Sequence, residues 1–393
     1  MSNQPERPEN HFINRRRFLK LLGLSGITWL AASCQKSHPA TPLTSTPRTP
    51  TALTPSFTPS ATASPTKTPT ALPTTMAAIG QADSYEPNLL RSELERMVGA
   101  IGGLGGRIKP GSRVGIKVNL TGGTWWDASG KPPATELFAT HPAVVGALCG
   151  LLLDLGAAKL TIVDGLGDET SFLKWGYADM AKPLGAKLID LCQPDPYADF
   201  KSFPVGPASS IYDHFQLNGV LDEFDVFISV GKMKCHSIAG VTLSLKNLIG
   251  LAPISRYRNS PDENDRSALH GNAQFDTRLP RVIVDLNRAR RVDFALIDGI
   301  ITAEGGAGPW DAGLTQIRPG LLVASKDPVA ADAVAAALMG FDPAAKGGTE
   351  PFLHADNHLA LAHASNLGTN QLSEISIAGR AIRELTVRFA PAS

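Results

Sequence analysis

Between Gly231 and Gly250 the chain reads GKMKCHSIAGVTLSLKNLIG, which gathers Lys232, Lys234, His236, Lys246 and Asn247 into one glycine-bounded segment. The segment follows an apolar run, Val226 to Val230, that reads as a buried strand. Groups just past a strand end lie where open α/β sheets bind their ligands. Lysines there are costly to bury unless an anion or a covalent partner accepts them. Lys246 is therefore a candidate covalent anchor or a contact for phosphate or carboxylate. Nearby ammonium groups favour the neutral form of His236, which suits a base or a ligand. Lys232 and Lys234 share one face of an extended stretch and could clamp an anion. Asn247 could fix a ligand or cap local backbone.

Other residues fit the same chemistry. Lys117 and Asn119 end the strand-like stretch Arg113–Leu120, again two apart, and could meet the same crevice. Asp164 and Asp298 each precede a glycine at a strand end, which fits metal or ligand contact and fits turn chemistry equally well. Glu304 opens the loop EGGAGP (304–309), whose backbone N–H groups could wrap an anion. Asp327 before Pro328 reads as a helix N-cap, and Asp332 as helix surface or packing. Arg256, Arg258, Arg266 and His270 lie in a polar stretch that is either an anion-binding lid or a soluble loop. Cys149 reads as core, and Cys235 beside His236 has no acid partner.

The elements needed to position these groups alternate along the chain. Helices are expected over 86–104, 140–155, 172–184, 242–251, 280–288 and 327–340. Strands are expected over 113–120, 160–165, 186–190, 226–230, 293–299, 320–324 and 373–377. This alternation predicts an α/β fold with a mostly parallel sheet and flanking helices, as one large domain or as two lobes, 79–255 and 256–393.

Residues 1–33 read as an export address. Asn14-Arg15-Arg16-Arg17-Phe18-Leu19-Lys20 resembles the twin-arginine signal. The apolar stretch Leu21 to Ala32 is shorter than the roughly 20 residues of a typical membrane span. Leu30-Ala31-Ala32-Ser33-Cys34 resembles a lipoprotein cleavage box, with Leu30 one position further from Cys34 than usual. Cys34 is the expected lipidation site. Residues 34–78 are dominated by Thr, Pro, Ser and Ala and cannot bury a core. An extended tether is expected there, and at about 3.1 Å per residue it would reach on the order of 100 Å. The expected partners are the twin-arginine export machinery and, through the lipid, a membrane. The expected location is the extracytoplasmic face of a cell membrane.

The full chain carries 37 basic and 36 acidic residues. Without the five basic and two acidic residues of the first 33, the balance is near −2. A domain so close to neutral argues against non-specific nucleic-acid binding, which needs a basic face. With no ferredoxin-type cysteine run and no C-x-x-C pair, the sequence argues against an iron–sulfur cluster and identifies no other cofactor or metal.

Over roughly 85–345 the chain resembles the family called domain of unknown function 362. The resemblance rests on GIKVN (115–119), the His-Pro pair at 141–142, the strand–Asp-Gly unit at 160–165, KMKCHSIAGVTLSLKNLIG (232–250), IDGI with EGGAGP (297–309), and ASKDPVAADAVAAALMG (324–340). A more distant similarity is to nickel-pincer lactate racemases. There a His is followed by Ala-Gly and, ten residues on, by the Lys that holds the cofactor; His236, Ala239-Gly240 and Lys246 keep that spacing. That resemblance implies a proton-transfer role for His236 and a cofactor contact for Lys246. The racemases' Gly-Thr-His-Arg motif is absent, with Asp164-Gly165-Leu166-Gly167 in its place. The similarity thus points to shared ancestry of fold and site rather than to racemisation. The expectation is a tethered enzyme, or a descendant of one, that binds a small anionic molecule or cofactor through Lys and His. The alternative is a non-catalytic solute-binding or envelope accessory lipoprotein.

Overall fold

The strand Val226–His236 is buried at every residue but the last, so the sheet around it must be covered on both faces. The computed structural model describes residues 75–127, 131–271 and 273–392. The export signal, Cys34 and the tether up to residue 74 lie outside the described residues. In chain order the first elements are β1 (Thr75–Gln81), α1 (Pro87–Ala100), β2 (Arg113–Lys117), α2 (Pro142–Asp154), β3 (Lys159–Asp164), α3 (Ser171–Lys174), α4 (Tyr177–Ala181), β4 (Lys187–Asp190), β5 (Lys201–Pro204) and β6 (His214–Leu217). They continue as β7 (Val226–His236), β8 (Gly240–Thr242), α5 (Ser244–Asn247), α6 (Arg278–Ala289), β9 (Phe294–Glu304), β10 (Thr315–Ile317), β11 (Leu321–Ser325), α7 (Pro328–Leu338), α8 (His358–Ala364), β12 (Ile375–Ala378) and α9 (Ile382–Leu385).

The main sheet runs β12-β1-β11-β9-β7-β2-β3-β4, with β8 on β7 and β10 on β9; β5 and β6 form a separate hairpin. From β4 through β3, β2 and β7 to β9 every pairing is parallel. β11 runs against both of its neighbours, β9 and β1. The chain leaves β2 toward β3 and β4, then returns to lay β7 on the other side of β2. That reversal makes the β2/β7 boundary a topological switch point, the place where such sheets open a crevice at their carboxyl ends.

Side-chain alternation assigns the faces. Val114, Ile116, Val118, Ile228, Val230, Leu296 and Ile300 join the core beneath α1 and α2. Met233, Cys235, Ala295 and Ile297 point the other way, into the core built with α7 and α8. A third cluster, with Phe227, Leu248, Val282 and Leu286, lies between β7, α6 and the β5–β6 hairpin. The sheet continues through β9 and β11 across residue 255, so the two expected lobes share one sheet and form a single α/β domain.

Several local expectations need correction. The first strand begins at Thr75, four residues inside the stretch expected to be tether. The stretch 172–184 divides into α3, α4 and a terminal turn, because Gly176 takes a left-handed φ of 79°. The helix expected from 140 begins at Pro142, with His141 as its cap, the His141 Nδ1 accepting the Ala143 N–H at 3.1 Å. β7 runs on to His236, so Lys232 and Lys234 belong to the strand instead of following it. Gly231 permits this: a Cβ there would collide with the Leu243 carbonyl and crowd Ser244 N, where α5 crosses the β7 backbone.

Candidate functional site

The groups at the carboxyl ends of the strands form two buried networks on opposite faces of the sheet. On the α5 side, Lys117 Nζ lies 2.6 Å from Asp164 Oδ1 and donates to Asn247 Oδ1 at 3.1 Å and the Val118 carbonyl at 2.6 Å. Asp164 also accepts the N–H groups of Leu120 at 2.6 Å and Gly165 at 2.8 Å. Asn247 Oδ1 takes a further bond from Asn119 Nδ2 at 3.2 Å, while its Nδ2 donates to the Lys117 carbonyl and Ser229 Oγ. Burial lowers the Lys117 pKa, and the Asp164 carboxylate opposes the shift. Gly250 closes over this pair: a Cβ would collide with Asp164 Oδ1 and lie 2.6 Å from Lys117 Nζ.

On the α2 side, Lys232 Nζ donates to Asp298 Oδ2 at 2.9 Å, the Thr135 carbonyl at 2.9 Å and the Tyr85 hydroxyl at 3.2 Å. Neither partner of the Lys232–Asp298 pair has measurable exposure. The two residues stand directly opposite each other in the β7–β9 register. Asp298 also accepts the Tyr85 hydroxyl at 3.0 Å and His141 N at 3.1 Å. The His141 ring stacks on Tyr85 with centroids 3.6 Å apart. Burial, with Lys232 adding to it, holds the His141 ring at a pKa of about 4, against the pull of Asp298. A cavity of about 390 Å³ adjoins this network, lined in part by Thr135, His141, Lys174 and Trp175.

Thr140 joins the two sides. Its Oγ1 accepts Asn119 N and donates to the Val230 carbonyl, bridging β7 and the end of β2 at the switch point. Lys234 Nζ donates to the carbonyls of Phe138 and Ala307, both at 2.7 Å. Burial lowers its pKa strongly, and Lys246 and Lys232 push the same way.

Lys246 differs from these lysines. It is half-buried, and among the described residues its Nζ makes no hydrogen bond or ion pair. Burial lowers its pKa to about 7, with Arg266 and Lys117 adding repulsion. The turn that carries it is fixed from beneath: Asp332 of α7 accepts Ser244 N at 2.7 Å and Leu245 N at 2.9 Å. Asp332 is thus fully buried, not helix surface, and burial raises its carboxyl to about 8 against the pull of those two bonds.

His236 closes the β7–β8 hairpin. Its Nδ1 accepts the N–H groups of Ile238 and Ala239, both at 3.1 Å. Burial lowers its pKa well below the ordinary value, and Lys246, His270, Lys234 and His358 add repulsion. The neutral ring therefore carries its proton on Nε2. Protonating Nδ1 would set an N–H against two backbone donors. The arrangement gives a neutral ring held among cations, with Nε2–H as a hydrogen-bond donor. His358 has no measurable exposure, and neither ring nitrogen has a hydrogen-bond partner. Burial holds it at about 3. Among the described residues no group of three or more His, Cys, Asp or Glu is arranged to hold a metal.

The structure thus brings Lys117, Asn119 and Asn247 together, and separately Lys232 with Asp298. Glu304 joins neither network, because its Oε2 accepts Ala390 N at 2.7 Å and anchors the C-terminal segment. Arg266 alone of the lid arginines reaches the strand ends, donating to the carbonyls of Gly165 and Ala252. Asp327 caps α7 as expected, accepting Val329 N and Ala330 N. Cys149, Cys192 and Cys235 are free, and burial pushes the Cys149 and Cys235 thiols up to about 12, which disfavours the nucleophilic thiolate. Sequence reasoning missed Tyr85, His141, Asp332 and His358 as parts of the site. For Asp332 a signal existed: it is the lone carboxylate inside the apolar helix PVAADAVAAAL.

A family model described as "Domain of unknown function (DUF362)" matches residues 114–337. The chain is 29% identical over 283 residues to the thylakoid-associated protein sll1697 of Synechocystis sp., covering 72% of this chain and 78% of that one. Among solved structures it is similar to a Thermotoga maritima protein, at 11% identity and a TM-score of 0.32, over 63% of this chain and 57% of that one. It is also similar to the lactate racemase apoprotein of Thermoanaerobacterium thermosaccharolyticum, at 13% identity and a TM-score of 0.34, over 62% of this chain and 54% of that one. The match therefore spans little more than half the length of either solved structure.

Proposed function

The chain belongs to the DUF362 family, and we propose that it is an enzyme, or derives from one, that binds a small anionic molecule or cofactor at Lys246 and His236. The observation that carries this reading is Lys246 itself. Its amine has no partner among the described residues and stands on a turn fixed by Asp332 and Asn247. The groups acting on it are cations, Arg266 and Lys117. An anion arriving there replaces repulsion with attraction, and gains more than at an exposed lysine because water screens less. The Nε2–H of His236 supplies a directional donor. Lys117 is already paired with Asp164, so its role is to hold Asn247 and the strand ends in place. The same holds for Lys232, paired with Asp298.

The experiment is isothermal titration of the full chain with sulfate and with oxalate, repeated on Lys246→Gln. Saturable binding that the substitution abolishes supports the reading, and unchanged binding in the variant refutes it. As part of the same proposal, the chain is exported by the twin-arginine route and lipidated at Cys34, placing the domain on a membrane through residues 34–78. Among the described residues no helix is long and apolar enough to cross a membrane. A non-catalytic solute-binding lipoprotein would use the same site. Reversible anion binding without turnover or a covalent adduct on Lys246 would favour that version.

A further inference from the structure

Three indoles lie beside the loops whose Phe138 and Ala307 carbonyls hold Lys234. Trp125, Trp126 and Trp310 are 53%, 38% and 38% exposed. Trp126 and Trp310 meet edge to face, with centroids 5.7 Å apart, and Phe138 backs Trp310 at 6.1 Å. Glycines shape this surface. A Cβ on Gly123 would collide with the Trp125 ring, one on Gly308 with the Trp310 ring, and one on Gly122 would crowd both Trp126 and Trp310. The rings of Trp125 and Trp310 thus lie against bare glycine backbone on one side, and their exposure falls on the other.

The loops beneath are rigidly held. Asp168 accepts Thr124 N and Thr124 Oγ1 beside Trp125, and Asp311 accepts Ala307 N at 2.7 Å beside Trp310. Trp175 donates its Nε1 to Asp127 at 2.8 Å. The other three indole N–H groups have no such partner among the described residues.

We propose that this surface binds a neutral saccharide chain. Indole faces offer broad, rigid apolar contact for the C–H faces of sugar rings, and their free N–H groups can meet hydroxyl oxygens. Asp127 and Asp311 each keep a carboxylate oxygen with no recorded partner among the described residues, which can accept sugar hydroxyls, whereas the Asp168 oxygens are taken up by Thr124, Thr170 and Ser171. Against the three carboxylates of Asp127, Asp168 and Asp311 stand Lys131, which lines a cavity with Asp127, and Lys174, whose Nζ donates to Thr124 Oγ1 at 3.3 Å, which leaves one negative charge in excess. The net negative rim repels nucleic acid and anionic lipid headgroups. A quaternary ammonium would suit the carboxylates and the ring faces, but it has no acceptor for three indole N–H donors, whereas a saccharide has many. The inference does not depend on the Lys246 site.

The test is affinity electrophoresis and calorimetry of the full chain with cellohexaose, maltohexaose and chitohexaose. Saturable binding of at least one is expected. Trp310→Ala and Trp125→Ala should each weaken it by about tenfold or more, as hot-spot aromatics do, while Trp310→Tyr keeps most of it. Circular dichroism identifies any variant that fails to fold, in which case Trp310→Tyr and Trp125→Tyr are compared with Trp310→Ser and Trp125→Ser. The proposal falls if no saccharide binds. It also falls if folded alanine or serine variants bind like the parent, or if the indoles mediate binding of choline chloride or phosphatidylcholine vesicles instead.

Discussion

Asp332 and Ser244 lie 88 residues apart in sequence, yet the Asp332 carboxylate accepts the Ser244 N–H at 2.7 Å and starts the turn that carries Lys246. A one-turn helix has almost no stability of its own. The position of the Lys246 amine therefore depends on a carboxylate borrowed from α7, and the expected consequences can be measured.

Asp332→Asn replaces one of the two acceptors with a donor. It should lower stability by about 1–3 kcal/mol in urea unfolding, the cost of leaving a buried N–H unmet. Burial raises the folded-state pKa of Asp332 above its unfolded value of 3.8, to about 8. The folded state then holds the proton that the unfolded chain releases, so this contribution is fully present below pH 4 and fades as pH rises toward 8. The gap in stability between parent and Asp332→Asn should narrow over that window.

Lys246 titrates near pH 7 in the folded protein, below its ordinary 10.5, because burial and then Arg266 and Lys117 disfavour its charge. Sulfate keeps its charge across this range, so its affinity should fall as pH rises from 6 to 8. Lys246→Arg should remove that dependence. The sign for stability is opposite to that for affinity. The folded state sheds the proton first, so stability gains from this residue as pH rises from about 7 to 10.5.

His236→Asn separates the two ring nitrogens. The asparagine oxygen can accept the Ile238 and Ala239 N–H groups as Nδ1 does, but nothing replaces Nε2–H. Stability should fall by no more than about 1 kcal/mol, while anion affinity drops about tenfold, the loss of one charge-directed hydrogen bond. Equal losses of stability and affinity would show that the hairpin itself had failed.

Lys117→Met leaves Asp164 buried without its cation. The side chains are 1% and 4% exposed, so the loss should approach the roughly 3–5 kcal/mol typical of breaking a buried pair. The double variant Lys117→Met, Asp164→Asn should recover part of it. Gly250→Ala tests the same pair from above and should cost about 1–3 kcal/mol through overpacking. Chemical denaturation of the three variants in parallel checks the set.

The α/β alternation, the main helices and the central strands were legible because long apolar runs and glycine stops encode them directly. The limit of β7 was not. Lys232 and Lys234 read as the end of a buried strand, but Asp298 and the Phe138 and Ala307 carbonyls solvate their ammonium groups and let the strand continue. Each partner comes from a distant element, so no local pattern announces it. The period-2 reading of Lys232 and Lys234 held, yet it could not reveal that Lys117 faces the opposite side of the sheet. That depends on which face α5 covers, and the pairing of β2 with β7 decides it. His358 carried no sequence signal, since its burial results from the packing of α8 beside Phe352.

β1 is flanked by β11 and β12, which lie some 240 and 300 residues further along the chain. Among the described residues it is the earliest strand of the sheet to be synthesised, and it gains its second neighbour only with β12. Until then its backbone N–H and C=O groups form an open edge, and pairings of such long range form slowly. The sheet therefore closes around Ala77–Gly80 only once β12 has been made.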